Sequence, residues 1–175
     1  MNEKLSMQNL ERLSSDEFKA SQKNKIILVL DNIRSLNNVG SAFRTADAFL
    51  IEAIYLCGVT GTPPKPEIEK TALGATSTVK WTYFKTTIEA IEHLKQKKYT
   101  PFAVEQATKS IALNKFIPVD EKIALVFGNE VYGVEQDVID ACKSVIEIPQ
   151  AGTKHSLNIS VSIGIVLWEI SRSSL

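Results

Sequence analysis

The chain has 175 residues, of which 44% are hydrophobic and 23% are charged, a balance typical of a globular domain with a substantial core. Twenty basic and twenty acidic side chains give a formal net charge of zero, so the overall charge does not indicate a nucleic-acid partner and leaves room only for a local basic patch. Cys57 and Cys142 both fall in apolar segments, which favours buried free thiols and a reducing compartment. Residues 1–25 are polar and charged, and no apolar run is long enough to span a bilayer, so we expect a soluble, cytoplasmic protein.

The pattern of apolar residues predicts helices and strands in alternation. A first amphipathic helix is expected over residues 5–20, with apolar positions at Leu5, Leu10, Leu13 and Phe18. Short, continuously apolar runs of the kind found in parallel sheets predict strands at residues 26–30, 53–57, 79–84, 102–105, 123–127 and 145–149. Further helices are expected at residues 39–50, 67–73, 86–98, 134–142 and 157–170. This alternation predicts a single α/β domain with a largely parallel sheet.

Local signals suggest where several of these helices begin and end. Asn38 and Ser156 stand where an N-cap is expected, and Thr86 with Glu89 forms a capping box. Gly74 is placed to end the helix before it. The segment after residue 157 is apolar on nearly every side, so we expect that helix to be buried and the loop before it to lie against the core. A buried loop needs partners for its backbone groups, and a ligand is one way to supply them.

Several common catalytic motifs are absent from the sequence. No phosphate-binding G-x-x-x-x-G-K-[ST] loop is present, and no G-x-G-x-x-G follows the first strand, which disfavours a P-loop NTPase or a dinucleotide-binding domain. The two histidines and two cysteines are scattered without metal-ligand spacing, so no metal site is expected. His155 beside Ser156 could suggest a hydrolase, but the G-x-S-x-G motif that such chemistry needs on this kind of sheet is missing.

Three polar, glycine-containing segments follow predicted strands. They are NNVGSAFRTA (residues 37–46), FGNEVYG (127–133) and IPQAGTKHSLN (148–158). Each alone is more often structural than functional, because glycine and asparagine are ordinary turn formers. All three are expected at the carboxyl-terminal edge of the sheet, which is where ligands bind in open α/β folds.

In this order and spacing, the three segments resemble motifs one, two and three of the SpoU (TrmH-type) RNA methyltransferases, of the SPOUT superfamily. KTALGA (residues 70–75) and EIP (147–149) are similar to that family as well, so that the resemblance covers about residues 26–170. It implies S-adenosylmethionine-dependent methyl transfer to a ribose 2′-hydroxyl of RNA. It also implies a parallel sheet with helices on both faces, a deep trefoil knot at roughly residues 123–170, and a homodimer with the cofactor site at the subunit interface.

The resemblance also assigns roles to individual residues. The catalytic residues that it implies are Arg44, Asn38, Glu130, Ser156 and Asn158. The residues that it implies for cofactor binding, mainly through backbone groups, are Val104, Gly128, Ile148 and Leu157. Arg44 would act on the ribose hydroxyl, either by losing its proton transiently or by stabilising the developing alkoxide, since a guanidinium is protonated at ordinary pH.

The RNA substrate is less well defined by the sequence. A tRNA substrate is preferred by analogy with small single-domain members of the family, with rRNA methylation and a catalytically silent RNA-binding module as alternatives. Residues 1–25 are expected to be a helical extension, without a separate RNA-binding domain, and residues 26–175 the methyltransferase domain. RNA would be held by local basic patches summed across a dimer, from Arg34, Arg44, Lys65, Lys70 and Lys154.

Overall fold

The computed structural model describes residues 2–6, 9–10, 12–118 and 121–172. The α-helices in this part of the chain are Ser15–Ala20 (α1), Leu36–Ala48 (α2), Pro66–Ala72 (α3), Thr87–Gln96 (α4), Gln136–Ala141 (α5) and Ile159–Ser171 (α6). The strands are Asn24–Asp31 (β1), Ile51–Cys57 (β2), Lys80–Phe84 (β3), Thr100–Val104 (β4), Ile111–Ala112 (β5), Ile123–Phe127 (β6) and Ser144–Glu147 (β7). Every strand predicted from the sequence is present, whereas the two-residue strand β5 is too short to produce a pattern and was not predicted.

The strands form one sheet in the order β3-β2-β1-β6-β4-β7-β5. All neighbouring pairs are parallel, with Leu28 of β1 opposite both Ile54 of β2 and Leu125 of β6. The predicted α/β domain with a parallel sheet is therefore confirmed. Since the strands run in the same direction, the loops that follow β1, β4, β6 and β7 all emerge at one edge of the sheet.

Helices cover both faces of this sheet. Successive side chains of a strand point to opposite faces, so Leu28 and Leu30 belong to one buried cluster and Ile27 and Val29 to another. The first cluster contains residues of α2, α3 and α6, and the second contains residues of α4 and α5. Both faces of the central strands are buried, which explains why β1 and β6 are continuously apolar in the sequence.

The predicted helix over residues 5–20 is wrong in its extent. In the described residues it is the short helix α1, which begins after the N-cap Ser14, where Ser14 and Glu17 form a capping box. Leu5 and Leu13 are exposed, and Phe18 alone of the predicted apolar positions is buried. A segment with one buried side chain has little packing to stabilise a longer helix.

The predicted N-cap of α2 is also wrong. The helix begins at Leu36, because the Ser35 side chain accepts a hydrogen bond from the Asn38 backbone N–H at 3.3 Å. Asn38 therefore lies within the first turn, where its side chain is free to make other contacts. The capping box of Thr86 and Glu89 at α4 is confirmed. Helix α3 ends before Gly74, as predicted, and its C-cap Leu73 already adopts a left-handed backbone conformation.

Helix α6 differs from its prediction in two ways. Its N-cap is Asn158, whose Oδ1 accepts the Ser160 backbone N–H at 2.9 Å, and Ser156 lies in the preceding loop. The helix is not buried on every side, because Val161, Ile165 and Trp168 are exposed by 49%, 38% and 56%. The opposite face packs against the core of a single chain, which can cover only part of a helix surface. No helix within the described residues is long and apolar enough to cross a membrane.

Candidate active site

Glu130 connects the first two motif segments at the carboxyl-terminal edge of the sheet. Its Oε2 accepts the backbone N–H of Arg34 at 3.1 Å, and its Oε1 accepts the N–H of Ser35 at 3.0 Å and the side-chain amide of Asn38 at 3.1 Å. Burial alone would raise the pKa of this carboxyl, but the hydrogen bonds from Arg34, Glu130 itself, Ser35 and Asn38 outweigh it, so its pKa lies below the ordinary value. Glu130 is thus held as a carboxylate that fixes the start of α2 beside the loop after β6.

Asn38 connects the first motif segment to the third. The Nδ2 of Asn158 donates to the Oδ1 of Asn38 at 3.4 Å, while the Oδ1 of Asn158 accepts both the backbone N–H and the hydroxyl of Ser160. Since Asn38 also donates to Glu130, a continuous chain of hydrogen bonds runs from Glu130 through Asn38 to Asn158. Three of the predicted catalytic residues therefore lie together.

The loop after β6 is held in a tight conformation by Gly128 and Asn129. A Cβ on Gly128 would lie 2.2 Å from the carbonyl carbon of Gly133, so no larger residue fits without a backbone shift. The Asn129 side chain accepts the N–H groups of Val131 and Tyr132 and donates to the Asn32 carbonyl at 2.7 Å. This loop is therefore tied to the loop after β1.

Glu105 is a residue of the site that the sequence analysis placed in a strand. It follows β4, and its carboxylate accepts the backbone N–H groups of Gln106 at 2.8 Å and Val134 at 3.0 Å. The Gln106 side chain in turn donates to the His155 carbonyl. Glu105 and Gln106 thus connect the end of β4 to the loops on both sides of it, a role that depends on tertiary contacts and leaves no local signal in the sequence.

An open cleft of about 710 Å³ lies between the loops after β4, β6 and β7. All the residues predicted to bind a cofactor line it, namely Val104, Gly128, Ile148 and Leu157. Glu130, Ser156 and Asn158 line it as well. Its volume is in the range of small-molecule sites, and its combination of apolar side chains, backbone groups and a few polar side chains suits a ligand with a flat apolar part and a polar part.

Of the predicted catalytic residues, Asn38 and Arg44 do not line this cleft. Asn38 is hydrogen-bonded to Glu130 and Asn158, which do line it, whereas Arg44 is not. Arg44 is exposed on α2, and its guanidinium makes no hydrogen bond or ion pair with any residue that the structure describes. Arg44 lies six positions after Asn38, which places the two side chains about 120° apart around the helix. The Arg44 guanidinium is therefore available to a group other than the described residues of its own chain.

Ser156 and His155 do not form a nucleophile and base. The Ser156 hydroxyl has no hydrogen-bond partner among the described residues, and His155 contributes only its backbone carbonyl to the contact with Gln106. The described residues also contain no group of three or more His, Cys, Asp and Glu side chains that could hold a metal ion. The geometry offers no support for the hydrolase alternative.

The sequence model of the SpoU rRNA Methylase family matches residues 25–168. The chain belongs to this family. Its relatives include an uncharacterized tRNA/rRNA methyltransferase of Borreliella burgdorferi, which is 33% identical over 153 residues, covering 86% of this chain. The 23S rRNA (guanosine-2′-O-)-methyltransferase RlmB of Haemophilus influenzae is 32% identical over 162 residues, covering 91% of this chain. The chain spans 65% of the length of each of these two relatives.

Solved structures of RNA-modifying enzymes share this fold. An AdoMet-bound rRNA methyltransferase from Sinorhizobium meliloti matches with a TM-score of 0.80 and 25% identity, covering 90% of this chain and 60% of that one. The A. aeolicus TrmH/SpoU tRNA modifying enzyme matches with a TM-score of 0.77 and 26% identity, covering 89% of this chain and 77% of that one. The resemblance inferred from the three motif segments is thereby confirmed.

Proposed function

We propose that this SpoU family protein transfers a methyl group from S-adenosylmethionine to a ribose 2′-hydroxyl of RNA. The observation that carries the proposal is the hydrogen-bonded chain of Glu130, Asn38 and Asn158, which joins the three motif segments at the rim of the cleft. The relatives support it, because their names describe methyltransferases that act on tRNA or rRNA.

The cleft fits the cofactor through its residue types. Val104, Ile148 and Leu157 provide apolar surface for an adenine ring. The missing side chain of Gly128 lets the backbone of Gly133 and Val134 approach closely, which shapes the wall of the cleft. The AdoMet-bound relative from Sinorhizobium meliloti has the same fold, which supports the assignment. When bound, S-adenosylmethionine supplies an electrophilic methyl group on its sulfonium.

The residues of the chain act on the acceptor hydroxyl. A ribose hydroxyl is a very weak acid, so transfer requires that the developing negative charge on its oxygen be stabilised. Arg44 provides this charge, since no described carboxylate pairs with its guanidinium and a guanidinium stays protonated. Asn38 and Asn158 position the ribose, Glu130 holds Asn38 in place, and the unpartnered Ser156 hydroxyl donates to the substrate side of the cleft.

A homodimer completes this arrangement. Val161, Ile165 and Trp168 follow a spacing of four and three residues, which puts them on one exposed face of α6, and α6 packs against α2, the helix that carries Arg44. A second subunit docked on this apolar face covers it and brings Arg44 to a cleft other than its own. Trp168→Glu is expected to convert a dimer of twice 19.4 kDa into a monomer in light scattering. Ile117→Glu, at a more exposed apolar residue outside α6, should leave the mass unchanged. A native protein with the mass of one chain would contradict the dimer.

The RNA substrate is proposed to be tRNA, with rRNA as the second candidate. The RlmB relatives favour rRNA by their names, whereas the A. aeolicus relative is described as a tRNA modifying enzyme. With a net charge of zero, the protein must hold either RNA through local groups such as Arg34, Lys65, Lys70 and Lys154.

Methyl transfer from labelled S-adenosylmethionine tests the activity and the substrate together. Total tRNA and total rRNA, each from cells with and without this gene, serve as acceptors, and the modified nucleosides are identified by mass spectrometry after digestion. We expect the labelled methyl group to appear as 2′-O-methylnucleoside only in RNA from cells without the gene. The same sites are already methylated in RNA from cells with the gene. Cofactor binding without incorporation into either RNA would indicate the silent RNA-binding module instead, and a methylated base would contradict ribose as the acceptor.

We further propose the chain topology and division implied by the resemblance. A trefoil knot over roughly residues 123–170 is supported by the strand order, since β6 inserts between β1 and β4, β7 inserts between β4 and β5, and α6 then returns to α2. Residues 1–25 form the extension and residues 26–175 the methyltransferase domain, a division supported by the start of the family match at residue 25.

A further inference from the structure

The edge strand β3 carries exposed aromatic side chains between two lysines. It is the last strand on its side of the sheet and pairs with β2 alone. Four of its five residues are exposed, among them Trp81 and Tyr83. Lys80 begins the strand and Lys85 follows it directly, so the segment reads KWTYFK, with a cation at each end. None of these residues lines the proposed cofactor cleft.

Trp81 and Tyr83 lie on the same face of the sheet. Residues two apart on a strand point to the same side, and these two stand opposite Ile54 and Leu56 of β2. Ile54 and Leu56 are buried in the core, whereas Trp81 and Tyr83 are 37% and 48% exposed. Two residues span about 7 Å of a strand, which leaves room for two flat groups, one on each ring.

The ring on the other face of β3 is covered. Phe84 packs against Tyr55 and against His93 of α4, with ring centroids 4.8 and 5.4 Å away. Trp81 and Tyr83, in contrast, contact no other ring within the part of the chain that the structure describes. The Tyr83 hydroxyl donates a hydrogen bond to the carbonyl of the residue that follows β2, Gly58, at 3.0 Å. This bond holds the Tyr83 ring in place while nearly half of its surface stays exposed.

Positive charge collects around this strand, although the chain as a whole is neutral. Lys80 and Lys85 form no ion pair with any described residue. Lys80 also lies near Lys23, because burial and then the charge of Lys80 lower the pKa of Lys23, an effect that nearby Asp47 offsets only in part. A polyanion bound at β3 would relieve this repulsion.

Single-stranded RNA fits this surface better than another β-strand does. Lysines on an edge strand oppose pairing with a second strand. Exposed aromatic rings beside cations are the pattern of sites for single-stranded nucleic acids, in which bases stack on the rings and phosphates meet the cations. A duplex fits less well, because its bases already stack on one another and are not available to the rings.

The same surface is continuous with the candidate active site. Gly58, which accepts the Tyr83 hydroxyl, is followed by Val59, and Val59 is 69% exposed. Val59 and Arg34 line a common cavity, and the Arg34 backbone N–H donates to the Glu130 carboxylate at 3.1 Å. An RNA strand held at the site therefore has a path across Arg34 and Val59 to β3.

We propose that β3 is a stacking platform for single-stranded RNA, on which Trp81 and Tyr83 each hold one base. The lysines at the two ends of the strand contact the flanking phosphates. The platform holds nucleotides near the one that is methylated, and it selects an unpaired segment rather than a particular base, since every base has a face that can stack. This inference rests on the proposed RNA substrate.

Fluorescence anisotropy with a labelled oligoribonucleotide of about ten nucleotides tests the platform apart from catalysis. Every ribose of the probe already carries a 2′-O-methyl group, so the probe cannot accept another. Trp81→Leu should bind it about fivefold more weakly or worse, whereas Trp81→Phe, which keeps a ring, should lose about twofold at most. Ile111→Ala is the matched control and should bind as the native protein does, because Ile111 is also 37% exposed but lies on the opposite edge strand β5. The same probe annealed to its complement should bind the native protein more weakly than the single strand does.

The salt dependence of binding tests the lysines. Each phosphate contact with a single strand contributes about 0.7 to the slope of log affinity against log salt concentration. Lys80→Ala and Lys85→Ala should each reduce this slope by about 0.7. Lys115→Ala, at an exposed lysine beyond the opposite edge strand, should leave the slope unchanged. These exposed lysines can be removed without disturbing the core, so they decide the question if Trp81→Leu proves unstable.

Nuclear magnetic resonance of the ¹⁵N-labelled full chain locates the contact. The chain has two tryptophans, and the indole signal of Trp81 is the one missing from Trp81→Phe. We expect the single-stranded probe to shift it. An unshifted Trp81 signal, equal binding of the duplex, or unchanged slopes in both lysine variants would each overturn the platform. A Trp81 signal that shifts with protein concentration in the absence of RNA would also overturn it, in favour of a second copy of the chain paired at β3.

The platform and the proposed function fail in different ways. Methyl transfer to RNA by a stable Trp81→Leu variant whose affinity for the single strand is undiminished would remove the platform and leave the proposed function intact. Binding of the single strand at Trp81, without methyl transfer to tRNA or rRNA, would count against the proposed function and in favour of the platform.

Discussion

Replacing Gly128 by alanine should damage both the stability of the fold and the cofactor cleft. The added Cβ would lie 2.2 Å from the carbonyl carbon of Gly133 and 2.2 Å from the backbone nitrogen of Val134. These are backbone atoms, so the loop must move, and the paired hydrogen bonds between Asn129 and Gly133, at 3.0 and 2.9 Å, are strained or broken.

The expected size of the effect follows from these contacts. Overpacking costs about 1–3 kcal/mol, and each weakened backbone hydrogen bond about 1 kcal/mol, so we expect the free energy of unfolding to fall by about 3 kcal/mol. For a chain of this length that corresponds to a decrease in Tm of about 6–12 °C. S-adenosylmethionine affinity should fall at least tenfold, because the Gly128 backbone lines the cleft.

Gly152→Ala is the matched control for this prediction. Gly152 lies in the loop between β7 and α6, near the same cleft, but a Cβ there would meet no atom within 4 Å. Its unfolding free energy should therefore change by less than about 0.5 kcal/mol. Differential scanning calorimetry and calorimetric titration with S-adenosylmethionine provide the two measurements. If the two variants had the same Tm and the same cofactor affinity, the argument from the close approach of the Gly128 and Gly133 backbones would be refuted.

Three further predictions concern other side chains. Arg44→Ala should abolish methyl transfer and leave S-adenosylmethionine affinity nearly intact, because Arg44 lies outside the cleft of its own chain. Arg12→Ala is the control for loss of an exposed arginine. Loss of cofactor binding in Arg44→Ala would show that the role of Arg44 is misassigned. Glu130→Gln should lower stability most near neutral pH. The pKa of Glu130 is depressed in the folded state, so the carboxylate contributes to the free energy of unfolding above the ordinary glutamate pKa, and this contribution is lost as the pH falls through the folded-state pKa. Urea unfolding of the native protein and the variant over a pH series measures the difference. A difference in stability that grows toward acid pH would contradict the prediction. Burial raises the pKa of Cys57 and Cys142 to about 12. Near pH 8, iodoacetamide should therefore modify neither thiol in the folded protein and both thiols after unfolding, as read by mass spectrometry. Rapid labelling of the folded protein would contradict this prediction.

The strands and the placement of the cleft follow directly from the sequence. Continuous apolar runs such as residues 123–127 require burial on both faces, and parallel strands bring their carboxyl ends to one edge. Val104, Gly128 and Ile148 each lie at or just after the end of a strand, which is why they line one cleft although they are far apart in the chain. Strand periodicity and the edge rule thus predict this part of the site.

The helix caps and the connecting side chains are less accessible to such reasoning. Asn38 and Ser156 had the residue types of N-caps, but Ser35 and Asn158 occupy those positions, since several neighbouring side chains could each have accepted the orphan N–H groups. Only tertiary contact decides between them, as Asn38 is drawn to Glu130 and Asn158. Glu105 and Asn32 join separate loops through long-range contacts, with Val134 and Asn129 respectively, and these contacts leave no local pattern in the sequence.

The hydrogen bond between Asn38 and Asn158 spans 120 positions of the chain and has a consequence for biosynthesis. A ribosome that has completed α2 has made Asn38 but not yet Glu130, Asn158 or the segment around Ile148 and Leu157 that walls the cleft. A nascent or prematurely terminated chain therefore lacks a wall of the cleft. On the proposed function, methyl transfer would begin only with a chain translated through α6, and a truncated product would be inert towards RNA.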